Sequence, residues 1–213
     1  TLRTPLAMAH IRLATEGAPA YRNTQPFMRE LGGRMHLFAH NGWLSHLRTQ
    51  PDMRASVYRP VGETDSEFAF CVLLERLREA WGDPQQEPSI ADRFAIVAEF
   101  AARLRTLGPA NFLYADGDVL FAHGDRRRST ESAKPVPPGL VVQLRSCKHA
   151  QADHAPFGVQ LDQAPQHVAL IASIALSEEE RRPLEEGELI AVAAGRLIMS
   201  SSGESAREII ILE

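Results

Sequence analysis

Gly62-Glu63-Thr64-Asp65-Ser66-Glu67-Phe68-Ala69-Phe70-Cys71-Val72-Leu73-Leu74 is the stretch on which the fold turns. Thr64 followed by Glu67 fits a capping box, in which hydroxyl and carboxylate satisfy backbone donors that a helix start leaves open. From Phe68 to Leu74 the residues are apolar on every side, so the helix begins buried. Phe70, Leu74, Leu77 and Trp81 then continue one stripe, and the spacing predicts a helix over 64–81. An acid at Asp65 falls in the first turn, where the helix dipole favours an ionised carboxylate.

Upstream, Met35 to Ala39 reads as a strand that ends in His40-Asn41-Gly42. Asn-Gly is also the commonest two-residue hairpin turn, so that dipeptide alone carries two meanings. Gly17 to Arg34 reads as loop, punctuated by Gly17, Pro19, Asn23, Pro26 and Gly32-Gly33. Leu6 to Leu13 alternates as a strand, with His10 and Arg12 on one face and Ala9, Ile11 and Leu13 on the other.

Downstream, a second helix is expected from Ile90 to Leu107, capped by Ser89 and stopped by Gly108-Pro109. The period then changes to two. Phe112–Ala115 and Val119–Ala122 flank an Asp116-Gly117-Asp118 turn. Leu140–Leu144, His167–Ile174, Glu188–Ala193 and Arg196–Ser200 are further strands, with Gly195 turning between the last two. Arg126 to Pro138, with its three arginines and three prolines, reads as a flexible surface loop. Cys71 falls in the apolar part of the first helix and reads as core. The order gives an α+β protein with helices laid on a sheet, organised as one domain over 1–213.

The chain has 213 residues, a net charge of −4, 44% hydrophobic and 23% charged residues, and two cysteines. Those values fit an ordinary globular domain. They argue against nucleic acid or an anionic membrane as the main partner, and against a secreted disulfide framework. No apolar run reaches the roughly 20 residues needed to span a bilayer, which makes cytoplasm the expected location. The histidines show no zinc-ligand spacing, and no cofactor is implied.

Three segments together, Ala9-His10-Ile11-Arg12-Leu13-Ala14-Thr15, Ala39-His40-Asn41-Gly42 and Gly62-Glu63-Thr64-Asp65-Ser66-Glu67, resemble the glutamine-pocket motifs of class II glutamine amidotransferases. The resemblance implies an N-terminal-nucleophile hydrolase fold, a four-layer α-β-β-α sandwich with two antiparallel sheets. It implies a substrate that is glutamine or a γ-glutamyl amide, whose side-chain amide is cleaved to release ammonia. By the same resemblance Arg12 binds the α-carboxylate, Thr15 supports it, and Asp65 binds the α-ammonium. Asn41 and Gly42 form the oxyanion hole.

An ion pair at a strand end is the plain alternative for Arg12, and helix capping for Asp65. Asn23-Thr24-Gln25-Pro26-Phe27 is similar to the Asn-Thr-His-Pro-Phe of stand-alone members, with Gln25 in the place of His; Gln25 is read as shaping a loop. An ammonia-accepting partner protein and a homo-oligomer both stay open.

The family's nucleophile is a cysteine at the mature N-terminus, and this chain opens on Thr1. The opening is expected to lie inside a domain, with the nucleophile upstream and the N-terminal portion of the sandwich missing. The sheet carrying Leu6 to Leu13 then has an unfilled neighbour or an exposed apolar edge. Thr1 itself is a poor candidate, since an extended connection to Arg12 spans about 35 Å at about 3.3 Å per residue. Two other readings remain: an amino-acid-binding protein of this fold that has no nucleophile, and a hydrolase acting through Thr1.

Overall fold

The computed structural model describes residues 4–11, 17–82, 86–129, 132–147, 166–174 and 180–202. Strands β1 (Phe27–Leu31) and β2 (Arg34–Gly42) form a hairpin closed by Gly32 and Gly33, both at positive φ. Two left-handed residues in a row are what a two-residue turn between twisted strands demands. β1 lies inside the stretch read from sequence as loop. Only its end residues, Phe27 and Leu31, are buried, and the half-buried middle position is Arg29, so the residue types show no apolar alternation to read. β2 runs on through Asn41 and Gly42 rather than stopping at Ala39.

Helix α1 covers Asp65–Leu77, with Thr64 as N-cap accepting from the Glu67 N–H at 3.2 Å. Only half of the expected capping box forms. The buried Glu67 carboxylate takes the N–H groups of Val61 (2.9 Å) and Gly62 (2.6 Å) and an ion pair with Arg29, so it shapes the incoming loop. Trp81 lies beyond the helix end yet is buried in the core.

Helix α2 covers Ile90–Arg105 and is capped by Ser89, which accepts from the Asp92 N–H at 3.1 Å. Ser89→Ala should cost about 1 kcal/mol, the usual worth of such a cap, read as a lowered urea midpoint at unchanged slope.

The remaining strands are β3 (Ala110–Ala115), β4 (Val119–His123), β5 (Arg127–Ser129), β6 (Ser132–Val136), β7 (Val141–Cys147), β8 (Gln166–Ala172), β9 (Arg182–Pro183), β10 (Leu189–Ala193) and β11 (Arg196–Ser200). β5 and β6 form an antiparallel pair where a flexible loop was expected. The turns at Asp116-Gly117-Asp118 and at Ala194-Gly195 lie where the sequence placed them.

β1-β2-β3-β4-β10-β11 form a six-stranded sheet and β8-β7-β9 a three-stranded one, antiparallel throughout. One face of the large sheet meets both helices. Phe38 of β2 lies 5.4 Å from each of Phe70 on α1 and Phe112 on β3, and Phe100 of α2 closes on Phe112 at 6.0 Å. On the other face Ala122, Ile190 and Val192 meet Leu140, Val142 and Leu184 from the small-sheet side. The expected antiparallel N-terminal-nucleophile hydrolase architecture is present, and the described residues supply its α-β-β layers.

Register places Met28, Met35, Leu37, Ala39 and Asn41 on the same face of the large sheet as Leu113 and Ala122. Met28 (56%) and Met35 (46%) are exposed there. The small sheet therefore covers the β4–β10 side of that face and leaves the β1–β2 side open.

The strand expected over Leu6–Leu13 does not form over its described part. Residues 6–11 join no sheet, Ile11 is 98% exposed, and residues 12 and 13 lie outside the described residues. Alternation says which face a residue would take, but a strand also needs a neighbour for its backbone groups.

Candidate functional site

The site assembles where the end of β2 meets the start of α1. Asn41 pairs with Asn111 and Gly42 with Ala110 across β2 and β3. They therefore belong to a strand, and the hairpin-turn reading of Asn-Gly is set aside. Gly42 is needed for a different reason: a Cβ there would lie 1.8 Å from the Pro109 carbonyl oxygen and 2.9 Å from His40 Nε2. Only a residue without a side chain lets the two segments approach this closely.

Asn41 alternates onto the open face and is exposed. Its backbone is held from the side, because the Asn111 amide donates to the Asn41 carbonyl at 3.0 Å and to that of Arg126 at 2.7 Å. Asn111 is in turn fixed by the Asp125 N–H at 2.7 Å, and Asp125 Oδ2 accepts the Ala110 N–H at 3.1 Å. Nothing in the sequence singles out Asn111. Its part follows from register alone.

Asp65 opens α1 and reaches back to β2's exit. Its Oδ2 accepts the Leu44 N–H at 2.7 Å, and its Oδ1 accepts the Ser66 N–H at 2.7 Å and the Ser66 hydroxyl at 3.1 Å. An ionised carboxylate offers about four acceptor positions, so Asp65 keeps capacity for one more donor while locked in place.

His40 fills the space between. Its ring is buried, with Nδ1 2.9 Å from Ser66 Oγ and Nε2 3.4 Å from the Pro109 carbonyl. Burial holds the imidazole below its ordinary pKa of 6.5, against the pull of Asp65; His10 adds a smaller push in the same direction. His10 of the first motif thus lies within electrostatic reach of the second. The His40 N–H donates to the buried Gln25 side-chain oxygen at 2.6 Å, which ties the Asn23–Phe27 loop to the strand. Asn23 ties that loop to the third motif, donating to Glu63 Oε2 at 2.6 Å and accepting from the Glu63 N–H at 3.0 Å.

Of the residues expected from sequence, Asn41, Gly42 and Asp65 are brought together at this junction. Arg12 and Thr15 lie outside the described residues. His40, Ser66 and Asn111 carry much of the geometry and were not assigned a role from sequence. A histidine and a serine inside two of the three motifs were the only signal available. Cys71, expected in the core, is buried, and burial pushes its thiol up to about 11, which makes it a poor nucleophile.

No helix among the described residues is long and apolar enough to cross a membrane. Residues 1–210 match the family described as class-II glutamine amidotransferases. An uncharacterized protein of Methanocaldococcus jannaschii is 30% identical over 214 residues, covering 100% of this chain and 57% of its own. YafJ of Escherichia coli, which carries the provisional name of a glutamine amidotransferase, is 42% identical over 116 residues, 54% of this chain and 44% of its own. The chain thus spans about half the length of these relatives. A crystal structure of a predicted glutamine amidotransferase from Pseudomonas aeruginosa superposes with a TM-score of 0.64 at 32% identity, over 84% of this chain and 66% of that one. The three motifs lie inside the matched span, and the chain belongs to the class II glutamine amidotransferases.

Proposed function

We propose that the complete protein hydrolyses the side-chain amide of glutamine or of a γ-glutamyl amide, using an N-terminal cysteine that precedes Thr1. The observation that supports this most directly is the seat of Asp65 on the exit of β2, where Leu44 N–H and Asp65 Oδ2 lie 2.7 Å apart. It ties the acid read as the α-ammonium partner to the chain two residues beyond Gly42, which supports reading Asn41, Gly42 and Asp65 as one site.

In this reading the Asn41 side-chain amide and the Gly42 backbone N–H stabilise the oxyanion that forms when the nucleophile attacks the amide carbon. The nucleophile's own α-amine takes its proton and later delivers one to the departing ammonia. Water then releases glutamate from the acyl-enzyme. Arg12 takes the α-carboxylate through two parallel hydrogen bonds, with Thr15 supporting it.

Ammonia and glutamate release from glutamine by the complete protein is the test. Asp65→Asn removes the charge at constant size. It should raise KM about tenfold or more, the worth of one charge-assisted hydrogen bond, with a smaller change in kcat. Binding of glutamine without turnover, in a complete protein that carries no N-terminal cysteine, would instead favour the amino-acid-binding protein of the same fold.

A further inference from the structure

The oxyanion pair and the ammonium acid sit on different elements, so something must hold them at a fixed separation. The His40 ring is wedged between them. Its Nδ1 edge meets Ser66 of α1, and its Nε2 edge abuts Gly42 and Pro109.

The acceptor that takes the Ser66 hydroxyl proton decides where the ring proton sits. Asp65 is acceptor-only when ionised, so it draws the single Ser66 hydroxyl proton to its Oδ1, 3.1 Å away. The Ser66 oxygen is then left to accept, and the ring must donate from Nδ1 across 2.9 Å. The alternative tautomer makes as many bonds, turning the Ser66 hydroxyl to Nδ1 and donating from Nε2 to the Pro109 carbonyl at 3.4 Å, but it gives up the charge-assisted bond to Asp65 for one beyond the usual range.

We infer that His40 and Ser66 are positioning residues: the neutral ring, carrying its proton on Nδ1, aims the Ser66 hydroxyl at Asp65 and spaces that carboxylate from Gly42. Recognition of the α-ammonium and stabilisation of the oxyanion are thereby referred to one rigid wedge. The inference rests on the function proposed above for Asp65 and Gly42. The groups facing the ring are Asp65 and Ser66 from α1, His10 from the leading segment and His123 from β4.

The relay predicts a defect specific to the α-ammonium. The complete protein is assayed on glutamine and on glutaric acid monoamide, which keeps carboxylate and amide and lacks the α-amine. Ser66→Ala should lower the preference for glutamine about tenfold, the worth of one hydrogen bond to a charged group, through KM rather than kcat. Ser66→Thr, which keeps the hydroxyl, should restore it. Nitrogen NMR of the unmodified protein at pH 7 should show His40 neutral with the proton on Nδ1.

An unchanged preference in Ser66→Ala, a Thr variant that behaves like Ala, or a ring protonated on Nε2 would overturn the inference. Failure of the unmodified protein to hydrolyse glutamine would overturn the proposed function instead, and the ring measurement would still decide the relay.

Discussion

Asn41→Ala is expected to lower kcat for glutamine hydrolysis by about a hundred- to a thousandfold, the loss seen when one oxyanion donor is removed, with KM nearly unchanged. A donor that acts only on the developing oxyanion contributes to the transition state and not to ground-state binding. The structure makes the substitution clean. Asn41 is exposed, its place in β2 is set by pairing with Asn111, and its carbonyl is held by the Asn111 amide at 3.0 Å. None of these contacts uses the Asn41 side chain. The variant should therefore unfold within about 0.5 kcal/mol of the parent, as surface substitutions usually do. Steady-state kinetics beside a urea titration checks both halves. A parental kcat would remove Asn41 from the oxyanion hole, and a raised KM at constant kcat would move it to ground-state binding.

What was legible in the sequence was what local chemistry dictates. Ser89 and Thr64 both cap helices because a side-chain oxygen beside the first turn meets open N–H groups whatever the rest of the fold does. Asp116-Gly117-Asp118 turns a hairpin for a similarly local reason. Where tertiary contacts decide, the letters were ambiguous. Glu67 has the spacing of a capping box, yet Arg29 and the Val61 and Gly62 N–H groups outcompete the backbone of Thr64 for its carboxylate. β1 alternates in burial, but its inward middle position is Arg29 and its outward ones are Met28 and Glu30, so the letters carry no apolar period. β5 and β6 were hidden by arginines and prolines, and a separate two-stranded ribbon, in which each strand has a free edge, tolerates Pro135 where a central strand would not.

The candidate site was legible as motifs rather than as geometry. Asn41, Gly42 and Asp65 could be named because each stands at a motif position to which the resemblance gives a role at the substrate. His40 could not, since its work is to fill the gap between β2 and α1, and that gap exists only once the strand lies beside the helix.

Acid should begin to destabilise this protein above the range in which its carboxylates titrate. Two histidines are fully buried in the large sheet, and each is committed to the neutral form. His36 donates from Nε2 to the Leu31 carbonyl at 3.0 Å, so its Nδ1, 2.7 Å from the Tyr114 oxygen, accepts. His123 donates from Nδ1 to the Ala110 carbonyl at 2.6 Å, and its Nε2 has no partner among the described residues. Burial lowers both to about 4, and it lowers His40 as well.

An unfolded chain takes up these protons near pH 6.5. Between about pH 6.5 and 4 the unfolded state therefore binds more protons than the folded one, and stability falls as pH falls. Above that window these groups impose no pH dependence. At pH 5 each of the two contributes about 2 kcal/mol to the loss, a large share of the 5–15 kcal/mol typical of a domain.

Carboxylates held low by their partners, such as Asp52 at about 2 beside Arg103, lose their contribution only from about pH 4 downward, so the two effects separate. Urea midpoints at pH 7.5 and pH 5 should differ by about 2 M for a slope near 2 kcal/mol/M. The His36 and His123 ring protons should show no titration until about pH 4. Equal midpoints, or rings that titrate near 6.5, would mean that the sheet admits these charges and that its polar interior is wetter than the geometry allows.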